Sequence, residues 1–358
     1  MAGMPAGEAG IFHRNGDPQR YDMIGGKEML SFRDIIGHKS IIEHLRQGVQ
    51  TGQIGHAYIF EGDDGIGKRL TAKTLAAALQ CREGAGEPCG RCISCLQMES
   101  GNQPDVSYVT HEKSVIGVDD IRQQLCAPME IKPYAGPYRI FIVDEAEKMN
   151  EQAQNALLKT LEEPPEYGII LLLTNNRNAF LPTIQSRAVL LSFLPVAESE
   201  LVPFLMERAQ IPDYRARLAA TLAGGSPGKA LTISGSEEFR KQKDTAVGIM
   251  QAIPDMGDER MAVTAKSLAS GKDDLDAILE LMTVWIRDLL LVKAAGRKAK
   301  PMFSQEDAAL RAQAARISYE GIKGLQKELQ TLADKRRANV TLEPAVWLML
   351  FHMKDCFR

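Results

Sequence analysis

Gly62, Gly65, Gly67 and Lys68, in the run GDDGIGKR (62–69), have the types and spacing that bind phosphate. In a loop of the pattern G-x-x-x-x-G-K-[ST], backbone N–H groups wrap the phosphates, the lysine reaches the outer phosphates, and the hydroxyl holds magnesium. Here the last position is Arg69, which carries no hydroxyl and is always cationic. A guanidinium meets a phosphate electrostatically but does not replace an oxygen ligand on a divalent cation. Magnesium-dependent hydrolysis is therefore expected to be crippled. Asp63 and Asp64 add negative charge where a phosphate would approach, so occupancy of the loop by nucleotide stays open.

Just beyond the loop, Cys81, Cys89, Cys92 and Cys95 follow the spacing C-x7-C-x2-C-x2-C, with Gly84, Gly86, Pro88 and Gly90 supplying turns. Four thiolates close a tetrahedron around zinc and leave no ligand position open, which suits a structural site. Disulfides are disfavoured by the intracellular character of the chain. An iron–sulfur set would want a following C-x3-C-P element, and that element is absent. Zinc is favoured over both, and over unmetallated thiols. Cys126 and Cys356 stand alone and read as packing residues, and no H-E-x-x-H arrangement occurs among the histidines.

A second chemical element is the run RIFIVDEAEKM (139–149), an apolar strand ending in Asp144 and Glu145. It sets two carboxylates at the carboxyl edge of a parallel sheet, where such sheets bind ligands. In a working ATPase the first would support hydrated magnesium and the second would polarise water. An acidic helix cap is the plainer alternative. Thr174 and Asn175 close the buried run IILLLTNN (169–176) and could hold a phosphate or a water, although a strand-end turn has the same sequence. Arg187, flanked by apolar residues in LPTIQSRAVLLSF (181–193), is either an ordinary exposed side chain or a cation offered across an interface.

The elements that position these residues are legible as periodicity. HAYIF (56–60) reads as a buried strand and LTAKTLAAALQ (70–80) as a helix, giving the strand–loop–helix order that a phosphate loop requires. Strand-like runs YIF, RIFIVD, IILLLT and AVLLSF alternate with helical ones, the mark of a parallel sheet covered by helices. Four regions follow: a glycine-rich, weakly patterned extension over 1–28 expected to be disordered, a nucleotide fold over 29–195 containing the cysteine module 81–95, a small helical lid over 196–236, and a helical region over 237–358. In the last region Ile278, Leu281, Trp285 and Leu289 recur on one helix face and suggest assembly, or closure of that region's own core.

The 358 residues suffice for two or three cores. The net charge of −3 argues against a dedicated polyanion binder but leaves contact through one face open. Basic stretches at Arg297, Lys298 and Lys300, and at Lys335, Arg336 and Arg337, read as solvated helix ends. No run of eighteen apolar residues or signal-peptide core occurs, so the chain is expected to be cytoplasmic, with no membrane contact.

FRDIIGH (32–38), HAYIFEGDDGIGKR (56–69), the four-cysteine insertion, FIVDEAEKMNEQAQNALLKTLEEPP (141–165) and IQSR (184–187) together resemble the bacterial DNA polymerase III clamp-loader family of AAA+ proteins, and within it the delta-prime subunits. The resemblance runs from Met29 onward and is weakest in the helical tail. It implies a RecA-like α/β sheet with a zinc-binding insertion, a helical lid and an all-helical collar that joins a heteromeric ring. Implied partners are gamma or tau motor subunits and delta, with the sliding clamp and primed DNA reached through a complex of DNA-directed DNA polymerase activity. The resemblance gives Arg187 a role in trans on a neighbour's ATP, leaves Asp144 and Glu145 vestigial, sets Thr174 and Asn175 at the first sensor, and puts Gly228, beside Lys229, where a second-sensor arginine normally stands. With Arg69, that second loss implies weak or no binding of ATP·Mg²⁺ and no ATPase activity of the chain's own. The alternatives are a gamma or tau motor subunit of the same loader, or an independent AAA+ remodelling ATPase.

Overall fold

The computed structural model describes residues 30–84, 86–111, 114–338 and 340–357. The extension expected over 1–28 lies outside the described residues. Five parallel strands, β1 (Ala57–Glu61), β2 (Val106–Val109), β3 (Arg139–Val143), β4 (Gly168–Thr174) and β5 (Val189–Ser192), form one sheet in the order β2-β3-β4-β1-β5. Helix α1 (Lys39–Thr51) precedes the sheet, α2 (Lys68–Gln80) follows β1, and α3 (Ile93–Glu99) follows the cysteine module.

The central strands β1, β3 and β4 are largely apolar because both faces of the sheet are covered there. Successive side chains point to opposite faces, and two separate cores result. Tyr58, Phe60, Ile140, Ile142, Leu171 and Leu173 share one with Leu75 and Leu79 of α2, and Ile59, Phe141, Val143, Ile170 and Leu172 share the other with Leu157 and Leu161. The latter two lie on the helix Glu151–Glu162, whose first turn is capped by Asn150 Oδ1 accepting the Ala153 N–H at 2.8 Å.

Two boundaries differ from the sequence reading. β2 was not among the four anticipated strands: VSYV is four residues long, and only Val109 of it is fully buried, so its periodicity is too weak to read. Strand β3 ends at Val143, and Asp144 and Glu145 fall just past it, with Glu145 in the left-handed region at φ 49°.

The helices Glu198–Arg208, Asp213–Leu222 and Pro227–Gly235 follow β5 and pack into the same core as α2, through Leu201, Leu205, Ala216, Ala219 and Ala230. Among the described residues, six further helices, beginning with Glu237–Ala252 and ending with Leu342–Asp355, enclose a third core. Ile278, Leu281, Trp285 and Leu289 are all buried in it. The stripe they form on the helix Lys272–Ala295 therefore closes this region's own core and is not an exposed assembly face. Trp285 Nε1 donates to Gln313 Oε1 at 3.0 Å and Gln313 Nε2 to the Met250 carbonyl at 2.7 Å, so the indole N–H and the Gln313 amide are paired inside that core.

Candidate functional site

The phosphate loop runs from the end of β1 into α2, and its backbone is fixed from three sides. The Gly62 N–H donates to the Thr174 carbonyl at 3.1 Å, so the loop leaves the sheet beside the end of β4. A side chain at Gly62 would stand 2.6 Å from the Phe193 carbonyl oxygen, which leaves no room for a Cβ. Gly65 and Gly67 have φ of 75° and 114°, a region that favours glycine. His38 Nε2 reaches the Ile66 carbonyl at 3.2 Å, and its ring packs 4.8 Å from Phe193. Nothing in the sequence around His38 signals this role, because the contact depends on how α1 meets the loop.

Lys68 lies almost wholly buried at the start of α2. Its ammonium donates to the loop's own carbonyls, at Gly62 and, 3.0 Å away, at Asp63. Burial holds its pKa below the ordinary lysine value, against the opposing charges of Asp64, Asp144, Glu147 and Asp63. Beside it the Arg69 guanidinium stands 3.8 Å from the Asp144 carboxylate. Asp144 Oδ1 also accepts the Glu145 N–H at 3.0 Å, and the Glu145 carboxylate pairs with Lys148 Nζ at 2.7 Å and lies 3.7 Å from His111 Nε2. Both carboxylates of the acidic motif thus have cationic neighbours from this chain.

The turn into the helix Pro227–Gly235 packs against the same loop. Ser226 Oγ donates to the Asp64 carbonyl at 2.9 Å, and the Gly228 N–H donates to the Gly65 carbonyl at 2.9 Å. A Cβ on Gly65 would meet Ser226 Oγ at 2.7 Å, and one on Gly228 would meet the Gly65 oxygen at 2.9 Å. Two glycines are therefore required for this approach. Ser226 caps the helix Pro227–Gly235, so the hydroxyl that ends the lid turn also holds the loop.

The other proposed nucleotide contacts divide. Thr174 is buried, its hydroxyl accepting the Asn176 N–H at 3.0 Å, so it makes the strand-end turn that its sequence also allowed. Asn175 is exposed beside it at the sheet edge. Lys229 is exposed, and its charge opposes the rise that burial gives the pKa of Glu280 in the helix Lys272–Ala295. Arg187 follows the short helix Pro182–Gln185 and leads into β5. Its Nη2 pairs with Glu162 at 2.9 Å, and its Nη1 donates to the Thr183 carbonyl at 3.0 Å and to Ser186 Oγ at 3.2 Å.

The four cysteines converge. Their sulfurs all lie within 4.8 Å of one another, with Cys81–Cys92 at 4.0 Å and Cys89–Cys95 at 3.9 Å. A tetrahedron with Zn–S bonds of about 2.3 Å has sulfur–sulfur edges of about 3.8 Å, so the donor set fits zinc. Backbone N–H groups of Gly84 and Cys89 point at the Cys81 sulfur, and that of Cys92 at the Cys89 sulfur. Burial acts to raise the Cys92 pKa, but N–H donation from Arg82 and Cys95 brings it down to about 6. Burial and the neighbouring sulfurs push Cys95 up. Cys81, Cys89, Cys92 and Cys95 would hold the ion, and a closed set of four sulfurs supplies folding energy without catalysis.

Residues missed by sequence reading also position this module. Glu87 accepts the Phe32 N–H at 3.2 Å and pairs with Arg46 of α1 at 3.1 Å. Asp105, wholly buried, accepts the N–H groups of Tyr134, Ala135 and Gly136 at 2.6, 2.7 and 2.8 Å, beside Arg139 at 3.4 Å. A lone aspartate between short elements gives no periodic signal, so only the fold shows its partners.

Residues 37–197 match the family model described as "DNA polymerase III, delta subunit". Among curated relatives, the chain is 33% identical over 208 residues to DNA polymerase III subunit gamma of Buchnera aphidicola, covering 56% of this chain and 57% of that protein. It is 29% identical over 286 residues to subunit tau of Bacillus subtilis, covering 74% and 50%, and 30% identical over 285 residues to subunit tau of Escherichia coli, covering 74% and 44%. The chain spans about half the length of these relatives. A gamma subunit-related structure from Thermotoga maritima aligns over 88% of this chain and 99% of its own at 20% identity, with a TM-score of 0.39. The resemblance to the DNA polymerase III clamp-loader family holds; the subunit type is not distinguished by these matches.

Proposed function

We propose that the chain is a non-hydrolysing, delta-prime-like subunit of a DNA polymerase III clamp loader, working in the cytoplasm beside gamma or tau motors and a delta subunit. In this reading it supplies Arg187 to ATP held by a neighbour while the ring places a sliding clamp on primed DNA. The carrying observation is the Arg69–Asp144 pair at 3.8 Å. It sets a fixed cation against the carboxylate that would otherwise face magnesium, in a loop whose next-door carbonyls are bonded to the lid. Asp144 and Glu145 are then vestigial for catalysis, Gly62, Gly65, Gly67, Lys68, Arg69, Thr174, Asn175 and Lys229 form a weak nucleotide site at most, and the four-cysteine module carries structural zinc. Residues 29–195, 196–236 and 237–358 serve as nucleotide fold, lid and collar.

The names of the curated relatives fit a second reading at least as well, and better than the delta-prime one: a gamma or tau motor subunit that hydrolyses ATP itself. The trans role of Arg187 and the choice between the two readings have separate measurements. In a loader reconstituted with separate motor subunits, Arg187→Ala should leave the ring assembled and lower its DNA-stimulated ATPase and clamp-loading rates. Arginines placed in trans raise hydrolysis by about 10³ to 10⁵ in other nucleotide hydrolases, and a ring with several sites would show less. Unchanged loading by rings carrying Arg187→Ala would end the trans-acting reading. Robust hydrolysis by this chain alone would favour the motor.

A further inference from the structure

We infer that Glu162 is a positioning residue for Arg187, holding its guanidinium in a fixed fork ready for a neighbour's phosphate; this rests on the trans-acting reading above. Arginine has five N–H donors in a rigid plane. Two of them, at Nη1, are taken by the Thr183 carbonyl at 3.0 Å and Ser186 Oγ at 3.2 Å, and Nη2 forms an ion pair with Glu162 at 2.9 Å. Among the described residues no acceptor is hydrogen-bonded to the Nε–H, which with Nη2 makes the edge that takes two phosphate oxygens.

Two separate elements deliver these contacts. Glu162 is the last residue of the helix Glu151–Glu162, which is anchored on the sheet by Leu157 and Leu161. Thr183 belongs to the short helix Pro182–Gln185, anchored by Ile184, and Gln154 Nε2 and Oε1 tie the two helices together through the Ala179 carbonyl at 2.9 Å and the Leu181 N–H at 2.8 Å. Both supports therefore rest on the core. A long side chain that would otherwise sample many rotamers is restrained before any partner arrives, and that restraint lowers the entropic cost of reaching a transition state. The pair is also half-exposed, so the guanidinium stays open to an incoming anion.

The hold at Nη2 is a charge contact, and two variants separate it from a packing role. Glu162→Gln keeps the side chain's size and removes its charge, while Glu162→Ala removes both. In the reconstituted loader, both variants should lower the DNA-stimulated kcat about three- to tenfold with KM for ATP unchanged, and a Glu162→Gln loader as fast as the parent overturns the inference. In an Arg187→Ala background, Glu162→Ala should have no further effect. On the isolated chain, the Arg187 Nε–H order parameter from nitrogen-15 relaxation should fall in both Glu162→Ala and Glu162→Gln. A loader slowed by Arg187→Ala but untouched by Glu162→Ala overturns the positioning role alone. A loader untouched by Arg187→Ala overturns the reading beneath it. Additive losses in the double variant show that Glu162 acts elsewhere, and also overturn the inference.

Discussion

Arg69 stands 3.8 Å from Asp144, joining the start of α2 to the end of β3 by a charge pair. In a phosphate loop of the usual form, the side chain at this position and the acidic strand end meet through a magnesium ion. Here they meet directly. The Asp144 charge is answered by the protein itself, and position 69 carries no hydroxyl.

Purified alone, the chain should hydrolyse ATP far below about 1 s⁻¹, the low end of ordinary enzyme rates. Arg69→Ser should not restore turnover by itself, because Ser226 and Gly228 remain bonded to the loop carbonyls. Steady-state phosphate release measures both. Turnover near 1 s⁻¹ that disappears in Lys68→Ala would show a working motor site.

One zinc should copurify with each chain. Cys92→Ser should abolish it and loosen residues 81–99, and, through Glu87, the contacts to Phe32 and Arg46. The main sheet should persist, because none of the five strands draws on the module for its ladder. Elemental analysis and hydrogen exchange read these out. Iron in the pure protein, or less than about 0.2 zinc per chain, would defeat the site.

Asp105 should give the fold part of its acid sensitivity. Burial acts to raise its pKa, but N–H donation from Tyr134, Ala135 and Gly136 and the charge of Arg139 hold it below the ordinary aspartate value. A depressed folded pKa contributes stability that is present above the unfolded value, near 3.9, and is lost as pH falls through the folded value. Asp105→Ala should cost about 3 kcal/mol at neutral pH, since three amides and Arg139 lose their acceptor. Urea midpoints of parent and variant should converge as pH drops below about 4. A gap that stays constant down to pH 2 would contradict this account.

Trp285→Ala should cost about 3 to 5 kcal/mol, because it empties the largest side chain of the helical core and strands Gln313. Ring assembly by this variant should fail only to the extent that the region unfolds. Circular dichroism melts compared with assembly at a temperature where the variant remains folded would separate the two. Lost assembly with an unchanged melt would place Trp285 at an interface instead.

How far these features were legible depended on whether they were local or periodic. β1, the loop and α2 announce themselves because strand, glycines and helix are contiguous, and the cysteine spacing alone brought four sulfurs within 4.8 Å. The long apolar runs of β3 and β4 gave the parallel sheet. What escaped were meetings between distant segments: Arg69 with Asp144, Ser226 with Asp64, Glu162 with Arg187. No pattern in a linear chain encodes which side chains two packed elements bring together. Thr174 and the Trp285 face show the converse limit, since a functional and a structural residue can share one sequence signature.

The mutual fit of Gly65 and Gly228 also bears on what this sequence can become. A descendant regaining a serine at position 69 would still have its loop carbonyls bound by the lid, and one gaining an arginine at position 228 would drive a Cβ to within 2.9 Å of the Gly65 oxygen. Neither step is an improvement without the other, and the second first breaks a seated contact. In the non-hydrolysing reading proposed above, reversion would need both changes, and the second displaces a seated contact between two segments.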